Sequence, residues 1–291
     1  MRISPKILAD NIKANLAKQS AQLMETQTKL STGKRINKPS DDPTGIGKVL
    51  NYRTTQQTIS QYRRNITDAS TRIQFTEDVL GQINDFVDQA KNIASNTVGA
   101  DGADMAQEVD NIQKQVLDLA NSKYGNKYIF SGNRSDTPPF DSTSPYTYNG
   151  DNGSHQVIVG QGTSVQIKTD GSQMFIDGSD NLFQVLDNLK TALSTDPVDS
   201  AAVQSAVDPL NRISQRLEQA QSNMATTYQS LQNTDNHWND FSNAVETMRQ
   251  NVEDADITQT AIDMQVQQTS YQVLLETAAK VIQPSLVDFL G

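Results

Sequence analysis

The 291-residue chain has no cysteine, only two histidines and a single tryptophan, and aromatic residues make up 6 % of it. Without cysteine there are no disulfides, no thiolate metal sites and no thiol nucleophile. His155 and His237 have no second histidine at helical spacing, so neither belongs to a recognisable metal-ligand set, and surface or interfacial packing is expected for both. No run of about 18 apolar residues exists, which excludes a membrane-spanning helix. Lys and Asn interrupt every apolar stretch between Met1 and Ala21, so no cleavable signal peptide is expected, and an exported chain would keep its N-terminus. Apolar residues are also scarce, at 35 %. Globular domains usually hold about 45–50 %, and the shortfall suits helices that bury a seam rather than a thick core.

Positive charge is short overall and unevenly placed. The net charge is −10, yet residues 1–38 hold eight Lys/Arg against two acidic residues, a charge of +6. Residues 253–291 hold six acidic residues against Lys280, a charge of −5. An acidic chain whose basic residues are spread along a helical pattern lacks the phosphate-binding footprint of a nucleic-acid protein. Opposite charge on two amphipathic ends instead predicts that the termini pair with each other or with neighbouring copies.

What the chain does have is apolar spacing of alternating three and four residues. One seam runs from Ile59 through Ile66, Ile73, Leu80 and Val87 to Ala94, and another from Met105 to Leu119. The longest runs from Val203 through Leu217, Leu231, Trp238 and Phe241 to Val252. Spacing of this kind predicts coiled-coil-like helices. Asp42-Pro43 reads as a helix start, with Asp42 capping and Pro43 where a missing N–H costs nothing. Between Gly125 and Asp180 short alternating runs such as Tyr128–Phe130, Gln156–Val159, Ser164–Ile167 and Met174–Ile176 are separated by Asn-Gly and Asp-Gly turns, which predicts a small antiparallel β unit.

The fold class expected is therefore mainly α with a small β domain: an elongated coiled-coil-like helical rod with a central antiparallel β insertion and paired N- and C-terminal helices. The expected division is 1–42, a terminal assembly helix and loop; 43–125, the outgoing rod; 126–180, the β domain; 181–256, the returning rod; and 257–291, the C-terminal assembly helix. If the β domain is a peripheral ornament, deleting residues 141–176 should spare assembly; failure to assemble would mean that it makes essential contacts.

The terminal segments carry the candidate functional residues. The first places Ala9, Leu16, Leu23 and Leu30 seven apart, with Ile12, Gln19 and Thr26 between them. The last reads Ile257, Ala261, Met264, Gln268, Tyr271, Leu275, Ala278, Ile282, Leu286 and Phe289, with Val281, Val287 and Leu290 as surplus apolar residues on other faces. Isolated helices of this kind are marginal in water. Both ends are expected to be poorly ordered in the free monomer and to become helical on assembly, with an ordinary intramolecular pair as the alternative. The assembly residues expected are Leu16, Leu23, Leu30, Met264, Tyr271, Leu275, Ile282, Leu286, Phe289 and Leu290. Elsewhere the chemistry is poor. Gly33, Gly45 and Gly47 lack the strand and Gly-Lys-Ser/Thr of a phosphate loop. Glu253, Asp254 and Asp256 lack the spaced ligands of a calcium loop, and a solvated turn or pairing with Lys34 and Arg35 is expected. No enzyme, cofactor or metal site is expected.

The segment LSTGKRINKPSDDP at residues 30–43 resembles a signature shared by bacterial flagellins and hook–filament junction proteins, as does VEDADI at 252–257. The opening MRIS, the stretch KYIFSGNRSDTPPF at 127–140 and the ending YQVLLETAAKVIQPSLVDFL at 271–290 are similar to the junction proteins rather than to flagellin. Residues 141–200 carry little of the resemblance. It implies a structural subunit of the bacterial flagellum: a homo-oligomeric ring between the first hook-associated protein and flagellin, with terminal helices in the inner tube. It also implies flagellar type III export and a cytoplasmic chaperone that holds the C-terminal segment. The ring, the export route and the chaperone follow from the resemblance alone. A short flagellin that forms the filament itself is the alternative.

Overall fold

In the computed structural model residues 5–96, 101–167, 169–178 and 180–290 are described, except for the side chains of residues 5, 6 and 281–290. Two compact units emerge. The first combines residues 1–58 with 240–291, and the second is residues 59–239. The fold is mainly α with small antiparallel strand pairs, as the apolar spacing and turn pattern imply.

The first unit holds helix α1 (Pro5–Thr32), the start of α2 (Pro43–Ser95), the end of α7 (Val207–Glu253) and α8 (Ile257–Leu290). Asp42 does cap α2: its carboxylate accepts the Gly45 N–H at 2.8 Å, and Pro43 is the first helical residue. Gly45 is required there, since a Cβ would lie 2.4 Å from the Asp42 carboxylate.

The second unit holds the rest of α2 and α7, together with α3 (Gly102–Ala120), α5 (Leu182–Leu193) and α6 (Ser200–Ser205). The α2 seam lies inward as the spacing predicts, with Ile66, Ile73, Leu80, Ile83 and Val87 all buried. On the α7 side Leu210, Ile213, Leu217 and Leu231 are fully buried. The longest seam is not one helix, however: the chain breaks at Ala206 between α6 and α7. Pro209 lacks the N–H that would bond the Ser205 carbonyl, so a continuous helix cannot form across this point.

The β region consists of three separate two-stranded antiparallel ladders: β1 (Lys123–Tyr124) with β2 (Lys127–Tyr128), β3 (His155–Gly160) with β4 (Thr163–Ile167), and β5 (Ile176–Asp177) with β6 (Asp180–Asn181). The β3–β4 hairpin follows the expected alternation, pairing Val157 with Val165. Two expected strands are otherwise. Met174 and Phe175 belong to a one-turn helix, α4 (Gly171–Phe175), because the Asp170 carboxylate accepts the Ser172 N–H and starts a helical turn. Ile129 and Phe130 leave the ladder after Tyr128, and both side chains are fully buried instead of alternating.

Nor is the β region peripheral. Phe140 lies 4.8 Å from the Phe183 ring of α5 and 5.5 Å from Phe175, and Phe130 meets Phe175 edge-on at 5.1 Å. Gln113 of α3, itself buried, donates to the Phe183 carbonyl at 2.9 Å and to the Tyr146 hydroxyl at 3.0 Å. Trp238 docks the hairpin onto α7, with its indole N–H donating to the Val159 carbonyl at 2.7 Å and its ring 5.3 Å from Tyr62. His155 and His237 both lie on the surface.

Candidate assembly surface

The two sequence signatures meet in the first unit. Lys34 and Asp254 form an isolated antiparallel bridge, with the Arg35 N–H donating to the Glu253 carbonyl at 2.7 Å and the Ala255 N–H to Gly33 at 2.9 Å. Gly33 takes φ of +71°, the left-handed conformation that ends α1 and turns the chain toward this bridge. Glu253 is at the centre. Only 2 % of its side chain is exposed, and it is ion-paired with Lys34 at 2.6 Å and with Arg53 and Arg249 at close contact. Burial works to raise its pKa, but the hydrogen bonds from Lys34 and Arg249 outweigh it and hold the carboxyl below its ordinary value. The pairing with Lys34 was legible in the sequence; the part played by Arg53 and Arg249 was not. Arg35 goes elsewhere, to the Asp42 carboxylate at 3.2 Å and the Val252 carbonyl at 2.8 Å.

Beyond this joint α1 packs along α8 within the single chain. The seam of α1 uses the expected residues: Ala9, Ile12, Leu16, Gln19, Leu23 and Leu30 are half-buried and Thr26 is buried. The seam of α8 agrees with the expected one in part. Met264, Gln268 and Tyr271 are half-buried and Ala278 is buried as expected, joined by buried Thr260 and half-buried Gln267 and Leu274, while Ile257, Ala261 and Leu275 are exposed. Met264 and Tyr271 therefore belong to the intrachain seam and Leu275 to the open surface. Ile282, Leu286, Phe289 and Leu290, like Val281 and Val287, lie outside the described side chains. Among the described residues no ion pair links α1 to α8, so the opposite charge of the two ends is realised at the Glu253 joint.

Pairing leaves apolar surface uncovered. Among the described residues twelve large hydrophobic side chains are exposed, and eleven of them lie in the first unit. On α8, Ile262, Val266 and Val273 recur at four and seven residues and so share one face, while Ile257 and Leu275 share another. On α7, Phe241 and Met248 stand one heptad apart. Sequence reasoning missed the Ile262–Val266–Val273 row, although its spacing was visible, because one heptad frame had been assigned to α8. Single exposed apolar residues mean little, but rows confined to one part of a molecule mark an interaction surface.

These features define a mainly helical protein whose exposed apolar rows gather in the unit built from both termini. Residues 3–135 match the bacterial flagellin N-terminal helical region. Flagellar hook-associated protein 3 of Salmonella typhimurium is 30 % identical over 235 residues, covering 73 % of this chain and 74 % of the relative. The protein of that name from Escherichia coli K12 is 30 % identical over 251 residues, 79 % of each chain. The fold is shared with the crystal structure of flagellar hook associated protein-3 from Legionella pneumophila, with TM-score 0.62 over 70 % of this chain and 98 % of that one at 14 % identity. The chain belongs to the flagellar hook-associated protein 3 family, whose members are structural components of the flagellum.

Proposed function

We propose that this chain is a non-enzymatic subunit of the hook–filament junction, forming a homo-oligomeric ring between the first hook-associated protein and flagellin. The observation that carries the reading is the concentration of exposed apolar side chains in the unit built from both termini. Leu16, Leu23, Leu30, Met264 and Tyr271 close the terminal helix pair, and Leu275 presents apolar surface to neighbours. Ile282, Leu286, Phe289 and Leu290 complete the same interface. Before assembly this surface needs cover, which fits a cytoplasmic chaperone on the C-terminal segment and passage through the flagellar export channel. No cofactor, nucleic acid or membrane enters the reading.

Deleting the coding region and imaging the cells tests it. Loss of motility, with intact hooks and unpolymerised flagellin in the medium, is the expected result; normal filaments would overturn it. The match to the flagellin N-terminal region keeps one rival, a short flagellin. Growth of long filaments from the purified protein alone would favour that rival.

A further inference from the structure

Helix α8 has two apolar sides. Its seam with α1 includes Thr260, Met264, Tyr271 and Ala278, whereas Ile262, Val266 and Val273 are each more than half exposed. By helical geometry that row lies about 140° round the helix from the seam. Helix α1 is two-sided in the same way. About 160° from its seam, Ile7 and Met24 are exposed, with exposed Ala14, Ala17 and Ala21 between them. The two seams face each other, so the two outer faces lie on opposite sides of the pair, both open to solvent.

Charge indicates what covers them. On α1 Asp10, Lys13 and Lys18, and on α8 Asp263, Glu276 and Lys280, are all exposed and have no ion pair among the described residues. Glu25 and Lys29, by contrast, pair with each other at 2.7 Å. Lys13 and Lys18 flank the outer face of α1 on its two sides, and Glu276 and Asp263 flank the outer row of α8. Asp10 is in line with the first face and Lys280 with the second. Along α1 the order of charge is minus, plus, plus; along α8 read backward it is plus, minus, minus. Helix α1 runs into the Lys34–Asp254 bridge and α8 runs out of it, so the two are antiparallel.

An antiparallel contact between the outer faces therefore sets opposite charges along the edges of an apolar centre, the arrangement of a heptad zipper. The alanines of α1 leave room there for the β-branched side chains of α8. Within one chain the two faces point apart, so only a second copy brings them together. Two α8 faces side by side in the same sense would instead set like charge against like. We propose, on the reading of this chain as a junction subunit, that the outer row of α8 in one copy seats on the outer face of α1 in the next. Such a heterologous contact passes from copy to copy and closes a ring when its rotation closes.

Photo-cross-linking in assembled flagella tests the contact. Full-length chains carrying p-benzoylphenylalanine in place of Val266 or, separately, Ala17 are expressed in a strain lacking the parent, and the isolated flagella are irradiated. The expected product is a dimer in which position 266 is joined to residues 7–24 of a second copy, and position 17 to residues 262–280. Incorporated chains that cross-link only to α8 of a neighbour, or only to another protein, overturn the contact. A charge reversal gives an independent readout. Lys13→Glu/Lys18→Glu should keep the melting temperature of the parent, because both side chains are exposed, while incorporation falls at least about tenfold. Adding Asp263→Lys/Glu276→Lys to the same chain should restore it. Normal incorporation of the first variant, or no restoration by the second pair, overturns the contact even where neither probe chain is incorporated. Absence of the parent chain from isolated flagella would instead sink the junction reading and this contact with it.

Discussion

Glu253 is enclosed by Lys34, Arg53 and Arg249, and it comes from the second of the two signatures while Lys34 comes from the first. Removing its charge takes the shared carboxylate from Lys34 and Arg53, while Arg249 keeps its pairing with Glu246. Glu253→Gln is expected to destabilise the protein by about 3–5 kcal/mol, the range for a broken buried pair, as read by chemical denaturation. The joint also sets a pH dependence. Glu253 is held below its ordinary value, and Glu246 is held down to about 2 from 4.5 by hydrogen bonds from Arg249 and Gln56. Groups depressed in the folded state bind fewer protons than when unfolded, so their contribution is complete above the ordinary carboxylate value and lost as pH falls. The melting temperature should be flat above pH 4.5 and decline from there toward pH 2. In Glu253→Gln that acid limb should be shallower, because one of the depressed carboxylates is gone. An unchanged limb would show that other groups control acid unfolding.

Helix α8 divides its apolar residues between a seam and a surface. Its seam includes Thr260 and Gln267, and the Gln267 Oε1 is buried without a partner among the described residues. Gln267→Leu should therefore stabilise the α1–α8 pair by about 1 kcal/mol, measured by amide exchange in α1. Substitutions on the exposed rows should act differently. Leu275→Asp and Val266→Asp are expected to leave the unfolding free energy within about 0.5 kcal/mol of the parent, since both side chains are already in water. Both should abolish incorporation into flagella, because a charge would be buried unpaired between subunits. Unfolding of the monomer by Leu275→Asp would place that residue in its core instead. This division shows how far the sequence could be read. In α1 the residues seven apart from Ala9 to Leu30 mark one seam, although Ile7, Leu8 and Met24 lie exposed outside it. In α8 apolar residues occupy several faces, and more than one frame satisfies the spacing. The choice depends on the start of the helix, where Asp256 accepts the Gln259 N–H at 3.0 Å and the Lys34–Asp254 bridge fixes the approach. That bridge joins residues 220 positions apart, and no local pattern encodes it.

For the molecule as a whole, apolar surface is spent differently in its two units: the first leaves eleven large hydrophobic side chains exposed, the second only Ile158 among the described residues. The second unit is thus internally satisfied, and its β region helps make it so. Gly, Pro and turn motifs between residues 125 and 180 signal local conformation but carry no signal of depth, which is why the sequence leaves the role of the β domain open. The buried Phe140, Phe175 and Phe183 cluster was visible only once the chain was folded. Deleting residues 141–176 removes Phe175, Met174 and Ile167 from that core and leaves Phe140 and Phe183 facing the void. Each lost large side chain costs about 3–5 kcal/mol in a core that cannot collapse, and a domain holds only about 5–15 kcal/mol in total. The deletion should therefore unfold the second unit, seen as loss of near-ultraviolet circular dichroism and rapid proteolysis between residues 102 and 205, with assembly lost in consequence. Ile158→Asp provides the control. That side chain is 59 % exposed on β3, so its replacement should change stability by less than about 0.5 kcal/mol and leave motility intact. A deletion variant that remains folded and motile would make the β region a peripheral ornament. A folded deletion variant that fails to assemble would show instead that the β region contacts neighbouring subunits directly.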